Sequence, residues 1–217
     1  MAGGPAAGEA ESLLARLPAG AREHLAGAGL RALRRPRRYK TNAWLVEGGG
    51  GRFFLKEACR MLWLLRVTYG RLLIEREVRV YRRLAGLDGV PRLVARLGPE
   101  AFLAEHVRGL PLGRRSAPFL PADFFERLQG LVEGIHRRGV LHLDLGQRKN
   151  ILLRSRDRRP VILDFGSALG RGLPGPLFGL LHRLLGWVDR RGVLMHRMRY
   201  GRGPLDEGSR RSLKRMN

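Results

Sequence analysis

The stretch that most constrains this chain runs from Asp123 to Ala168. Phe124, Phe125, Leu128, Leu131, Val132 and Ile135 recur at helical spacing, which predicts a helix from Asp123 to Arg138, stopped by Gly139. "HLDLGQRKNILL" follows, from His142 to Leu153, and then "VILDFG", from Val161 to Gly166. "NILL" and "VILDFG" are short apolar runs on either side of the charged turn "RSRDRRP", the pattern of a hairpin. An acid, two cations and an amide are therefore packed between a helix-like run and a strand-like run. A second acid, Asp164, closes the hairpin.

The rest of the chain places this stretch in an α+β frame. Residues 1–8 are Gly, Ala and Pro, and read as loose. Glu9 to about Leu33 reads as short helices, and "RALRRPRRYK" as a basic connector with five Arg. "NAWLVEGGGGRFFLKEA" reads as two strands joined by a glycine turn. A long helical stretch between Met61 and Leu87 places Glu77, Val80, Tyr81 and Leu84 at i, i+3, i+4 and i+7. "PRLVARLG" and "AFLAEHV" read as strands, and "RGLPLGRRSAPFLPA" as a loop. The order predicts a sheet-rich first lobe and a helical second lobe. The expected divisions are an N-terminal helical and partly loose extension over 1–35, a first lobe with its hinge over 36–107, and a shortened second lobe over 108–217.

Bulk properties narrow the function. With 217 residues and 44% apolar residues, the chain is long enough for a real core. Lys and Arg number 42 against 19 Asp and Glu, a net charge of +23. That excess calls for an anionic partner, whether nucleotide, nucleic acid or acidic membrane, or else marks an Arg-rich solvated surface. Nucleic acid is disfavoured, because no aromatic platform or recognised motif accompanies the charge. A single cysteine, Cys59, excludes an internal disulfide and fits a reducing compartment. The N-terminus lacks a basic n-region and no run reaches about 18 uncharged apolar residues, so the sequence predicts neither a secretory signal nor a membrane span. The expectation is a cytoplasmic protein, with a peripheral position on the inner membrane face as the alternative.

One reaction class asks for a lysine, a helix glutamate, a loop aspartate, an asparagine and a second aspartate in this order. Phosphoryl transfer needs a carboxylate near the acceptor hydroxyl and oxygen ligands for Mg²⁺. It also needs a cation on the α- and β-phosphates, and a carboxylate to hold that cation. Here "FFLK", "EREVRVYRRL", "FLAEHVRG", "GIHRRGVLHLDLGQRKNILL" and "VILDFGSA" stand in sequence, and together they resemble the protein-kinase-like superfamily. The resemblance covers roughly residues 36–170. It is to compact bacterial members, of the kind of the RIO-type kinases and the lipopolysaccharide core kinases.

The resemblance implies a bilobal kinase-like fold, ATP and Mg²⁺ as cofactors, and transfer to a hydroxyl. It implies that Lys56 grips the phosphates and pairs with Glu77, and that Glu105 and Val107 lie in the hinge, where backbone groups meet adenine, with Ala104 just before it on the same nucleotide-binding segment. It implies that Asp144 is the catalytic aspartate, that Asn150 and Asp164 hold Mg²⁺, and that His142 supports the loop. The nucleotide-covering loop is expected around Tyr39 to Ala43, with Lys40 and Thr41 on the phosphates. Gly48 to Gly51 stand too close to Lys56 for that task and belong to the preceding turn.

Three features depart from the family pattern. Five residues, not four, separate Asp144 from Asn150, so either the loop bulges at Gly146 or Gln147 replaces Asn150 as metal ligand. Arg148 and Lys149 either neutralise the γ-phosphate or face solvent. Only 51 residues follow Gly166, and no A-P-E-like segment is among them. That leaves a protein Ser/Thr and an envelope lipid or saccharide as rival acceptors. A pseudokinase that binds without turnover is the alternative function. Finally, "PLFGLLHRLLGWVDRR" (176–191) predicts an amphipathic helix beginning at Pro176. Leu177, Phe178, Leu180, Leu181, Leu184, Leu185, Trp187 and Val188 fall on one half of its wheel. Gly179, His182, Arg183, Gly186, Asp189 and Arg190 fall on the other. Such a helix either closes the second lobe or lies in an anionic membrane surface, the further candidate partner.

Overall fold

The computed structural model describes residues 27–33, 40–48, 51–59, 61–170 and 175–201, together with Ala15 and Leu25. Within 175–183 the backbone alone is described. The expected loose N-terminus, most of the helices expected from Glu9, connector positions 34–39 and the polar C-terminal tail lie outside the described residues. The chain divides into two compact units, one of Met1–Gly86 with Pro91–Val107 and one of Leu87–Val90 with Arg108–Asn217.

The first unit is built on a five-stranded antiparallel sheet of order β1-β2-β3-β5-β4. Its strands are β1 (Gly29–Ala32), β2 (Asn42–Gly48), β3 (Gly51–Glu57), β4 (Leu93–Arg96) and β5 (Ala101–Glu105). As the sequence predicts, the glycine turn joins β2 to β3, with Gly48 opposite Gly51 as the last pair. Trp44, Val46, Leu55, Cys59, Leu97, Ala101 and Leu103 form the core on one side. Burial pushes the Cys59 thiol up to about 12, with Glu57 and Glu100 adding to the effect, so it is no nucleophile at neutral pH.

Two expectations are corrected here. Gly29–Ala32, expected to be helical, is a strand, because its backbone pairs antiparallel with Glu47 to Trp44. Tertiary pairing overrides local propensity in so short a run. The long helical stretch is also interrupted. A single turn (Trp63–Leu65) and a π-helical turn (Arg66–Gly70) precede the regular helix α1 (Arg71–Arg83). At Gly70 a Cβ would stand 2.9 Å from the Ala58 Cβ, so the backbone passes too close there for any larger residue. From Ile74 onward the apolar face of α1 is buried, and the Tyr81 ring lies 5.6 Å from that of Phe102 on β5.

In the second unit, α2 (Phe124–Arg137) forms where the 3.6-residue pattern places it, and Gly139 ends it at φ +70°. Two small sheets flank it. One joins β6 (Gly109–Pro111), β8 (Ile151–Arg154) and β9 (Pro160–Ile162), with β8 and β9 forming the expected hairpin. The other pairs β7 (Val140–Leu141) with β10 (Leu169–Gly170). Arg154 ties the hairpin to the segment before β4, bonding both Asp88 and Asp157. The last helix, α3, runs from Gly175 to Tyr200.

Among the side chains of α3 that are described, from Leu184 onward, the inner and outer faces are not those the wheel predicts; its assignments for the side chains from Leu177 to Arg183 lie outside the described residues. Asp189, assigned to the polar half, is fully buried, and Gly186 is buried with it. Leu184 and Trp187, assigned to the apolar half, are exposed. The cause is close approach rather than hydropathy. At Gly192 a Cβ would meet the Gly146 backbone nitrogen at 2.9 Å, so this helix packs backbone to backbone against the 142–150 loop. Gly186, Asp189, Gly192, Val193, His196 and Tyr200 therefore face inward.

Candidate active site

In the first unit, antiparallel pairing sets Lys56 on β3 with its neighbours Ala43 on β2 and Phe102 on β5. Strand alternation puts Lys56 and Glu57 on opposite faces. Lys56 Nζ reaches Glu77 Oε2 on α1 at 2.7 Å, with the carboxylate almost wholly buried. A pair 21 positions apart in sequence is thus joined by fold. Glu57 is buried on the other face, where its Oε1 accepts from Asn42 Nδ2 at 3.0 Å and Trp44 Nε1 at 3.3 Å. Asn42 therefore serves the sheet, while exposed Lys40 and half-buried Thr41 stand just before β2, at the end of the β1–β2 connection. Ala104 is buried inside β5, and Glu105 ends that strand with its backbone N–H given to the Arg92 carbonyl. Val107, half-buried, closes the unit.

The second unit gathers His142, Asp144, Asn150 and Asp164. His142 is fully buried, its Nε2 2.9 Å from the Leu163 carbonyl and its Nδ1 accepting the Asp144 backbone N–H at 3.3 Å. These bonds fix the tautomer with the proton on Nε2. Burial holds the imidazole below its usual range and therefore neutral, although the Leu163 carbonyl and nearby Asp189, Asp164 and Asp144 pull the other way. Its ring packs 5.0 Å from that of Phe165. The Leu163 N–H bonds the Asn150 carbonyl at 2.8 Å, so the residue before Asp164 is tied directly to Asn150.

The extra loop residue resolves without displacing Asn150. A 3₁₀ turn over Arg148–Asn150 takes up the added length, and Asn150 is buried. Its Nδ2 donates to the Asp144 backbone carbonyl at 3.0 Å and to Asp144 Oδ2 at 2.9 Å. Gln147 Nε2 lies 2.6 and 2.7 Å from the two Asp144 carboxylate oxygens. Two amides therefore grip one carboxylate. With its nitrogen spent on Asp144, Asn150 has its amide oxygen left as the donor for a cation. Asp164 is exposed and left-handed at φ +61°, with Oδ1 accepting the Gly166 N–H at 3.4 Å. A non-glycine residue in that region is held there by its surroundings and clusters at functional positions. An exposed carboxylate and an amide oxygen are the hard donors that Mg²⁺ accepts.

Sequence reasoning missed the residue that holds the loop. Asp189 Oδ2 accepts the His142 N–H at 2.8 Å and faces His136 Nε2 at 2.9 Å, while Oδ1 accepts the Leu143 N–H at 2.7 Å. Leu143 sits at φ +62°, so the carboxylate pins a peptide in an unfavourable conformation. The available signal was a lone acid within a helix whose other charged residues are all cationic, which the wheel misread as solvent-facing.

No family model matches the chain, and no curated protein does. Solved structures do. The Rio2 kinase from Chaetomium thermophilum superposes with a TM-score of 0.63 at 17% identity, over 89% of this chain and 65% of that one. The Rio2 kinase–ADP/Mg²⁺–phosphoaspartate complex from the same organism gives 0.59 at 17% identity, over 90% and 63%. The chain thus spans just under two thirds of the length of these relatives. The likeness establishes a protein-kinase-like fold, with a small five-stranded first lobe and a shortened helical second lobe. The resemblance to lipopolysaccharide core kinases rests on the sequence motifs alone.

Proposed function

We propose that the chain is an ATP-dependent phosphotransferase that moves the γ-phosphate to an acceptor hydroxyl. The observation that carries this reading is the buried Lys56–Glu77 pair at 2.7 Å. A lysine held by a carboxylate on a helix is the arrangement that presents a fixed cation to nucleotide phosphates. In this reading Lys56 takes the α- and β-phosphates, Lys40 and Thr41 cover them, and Ala104, Glu105 and Val107 meet adenine. Because the Glu105 N–H is already bonded, the remaining backbone groups of that segment make those contacts. Asp144 orients the acceptor hydroxyl and takes its proton. Asn150 and Asp164 hold Mg²⁺, which would neutralise charge on the phosphates. The Rio2 complex with ADP and Mg²⁺ supports this choice of cofactors.

A second reading has its own observation. Gln147 and Asn150 together occupy the Asp144 carboxylate. A base whose oxygens are engaged by amides is less available to a hydroxyl, which favours a nucleotide-binding pseudokinase. Incubation with labelled ATP and Mg²⁺ alongside protein, total-lipid and lipopolysaccharide fractions separates the readings. Label in one fraction identifies the acceptor as protein Ser/Thr or as envelope lipid or saccharide. Nucleotide binding without label in any fraction leaves the pseudokinase.

A further inference from the structure

The second unit contains a cavity of about 430 Å³ bounded by Arg114, Ala117, Pro118, Arg199 and Tyr200. Its walls come from the loop after β6 and the last turn of α3. Both arginines are exposed. Neither makes an ion pair among the described residues, although the unit has carboxylates to offer and Arg127, Arg154, Arg159 and Arg197 all use them. Arg199 instead lies over the Tyr200 ring at 5.7 Å, which fixes its guanidinium at the cavity wall. A third cation stands beside them. Gly113 has no side chain, and the space a Cβ would take is filled by the Arg148 guanidinium, 2.7 Å from that position. Arg148 belongs to the same loop as Asp144, four residues on. His196 lies near the same cations, with its Nε2 bonded to the Leu145 carbonyl at 3.0 Å. Burial first, then Arg199 and Arg148, hold that imidazole below its usual range. The sequence left the role of Arg148 open between phosphate and solvent.

We propose that this cavity is an anion subsite that holds a phosphate group carried by the acceptor. Guanidinium groups fork onto phosphate oxygens in pairs, and unpaired arginines around a concavity form the receptor such a group needs. Arg148, which belongs to the Asp144 loop and reaches Gly113 beside the cavity residue Arg114, joins the subsite to that loop, and through it the bound acceptor is presented to that aspartate. The word acceptor rests on the phosphotransferase reading; the anion site does not. The same chemistry is offered by a soluble sugar or glycerol phosphate and by a phosphomonoester headgroup on a bilayer.

The test is calorimetric titration of the full chain with sn-glycerol 3-phosphate, with and without a saturating Mg²⁺ complex of a non-hydrolysable ATP analogue. A parallel sedimentation assay uses vesicles with and without phosphatidic acid. Saturable binding that persists with nucleotide bound, and weakens at least about tenfold in both Arg114→Gln and Arg199→Gln, is expected, since each removes a charge-assisted contact. Binding confined to the soluble phosphate assigns a soluble or saccharide acceptor, and binding confined to the vesicles a lipid one; either supports the subsite. Both variants alter exposed side chains, and circular dichroism checks that they fold. An Ala117→Phe variant, which fills the cavity without touching charge, should abolish binding as well. Absence of saturable phosphate binding in both formats, or binding indifferent to all three variants, overturns the proposal. A chain that binds phosphate here but no nucleotide would overturn the kinase reading and leave the subsite standing.

Discussion

Replacing Asp189 by Asn is the sharpest test of how this fold holds its loop. The carboxylate offers two oxygens to three donors, the N–H groups of His142 and Leu143 and the His136 ring. Asparagine has one oxygen and one NH₂, so in either orientation a donor faces a donor at the other position. If the oxygen keeps His142 and His136, the NH₂ confronts the Leu143 N–H, 2.7 Å away in the native protein. A buried N–H left unsatisfied costs about 1–3 kcal/mol, and a bond to a charged acceptor sits at the upper end of that range. Leu143 adds a term, because a left-handed non-glycine residue is strained by roughly 1–2 kcal/mol and the Asp189 bond holds it there. The Asn variant should therefore lose about 2–4 kcal/mol, with the loop changing conformation before the unit unfolds. Urea unfolding measures the total, and hydrogen exchange at the His142 and Leu143 amides locates it. Leu143→Gly should recover about 1 kcal/mol in the Asn background, more than it gains in the native protein if the two positions are coupled as argued. A loss under about 0.5 kcal/mol with the Leu143 amide still protected would refute the reasoning.

In phosphotransfer assays, Asp144→Ala and Asp164→Ala should each remove turnover, while only Asp164→Ala removes Mg²⁺-dependent nucleotide binding; full activity in either would sink the assigned roles. Exchanging Gly49-Gly50 for Asn-Gly should leave nucleotide affinity unchanged within about twofold, because a two-residue hairpin turn accepts that pair and a phosphate cradle does not. His142 and His196 both have depressed folded-state pKa values, so the unfolded chain takes up protons that the folded one refuses. Stability should thus fall as pH drops below about 6.5, by up to about 1.4 kcal/mol per pH unit for each histidine; urea midpoints flat between pH 7.5 and 5.5 would contradict this. The outer stripe of α3 carries Leu184, Trp187, Met195 and Met198, all exposed, with Arg191 among them. If it meets an anionic bilayer, vesicle co-sedimentation should weaken in salt and vanish in Leu184→Glu/Trp187→Glu, both solvent-facing changes that leave the fold intact.

What the sequence made legible was periodicity and order; what it hid was close approach. Helix α2, the β8–β9 hairpin and the β2–β3 turn follow from apolar spacing and glycine placement, which act within a few residues of one another. The Lys56–Glu77 pair joins distant positions, and it was expected only because the motifs around both residues resemble a family in which such a pair is made; no local periodicity carries it. The faces of α3 went wrong for a reason that hydropathy does not carry. A wheel ranks side chains by their affinity for water, and Asp189 ranks as outward. Its carboxylate is instead worth more inside, where it is the acceptor for two backbone N–H groups of a tight loop. Gly192 carries no hydropathic signal, although it marks where the helix backbone must come near the Leu145–Gly146 backbone. Leucine and tryptophan were then displaced to the outside because the inside was already assigned by these contacts. The Asp144–Asn150 spacing has the same lesson with the opposite sign. Counting residues left open whether the loop bulges or Asn150 points away, and a 3₁₀ turn over Arg148–Asn150 leaves the Asn150 side chain bonded to Asp144. Loop length alone therefore cannot locate a ligand when the loop ends are fixed by a buried histidine and a buried aspartate. Those two anchors, invisible as a pair in the sequence, decide where Asp144, Asn150 and Asp164 stand.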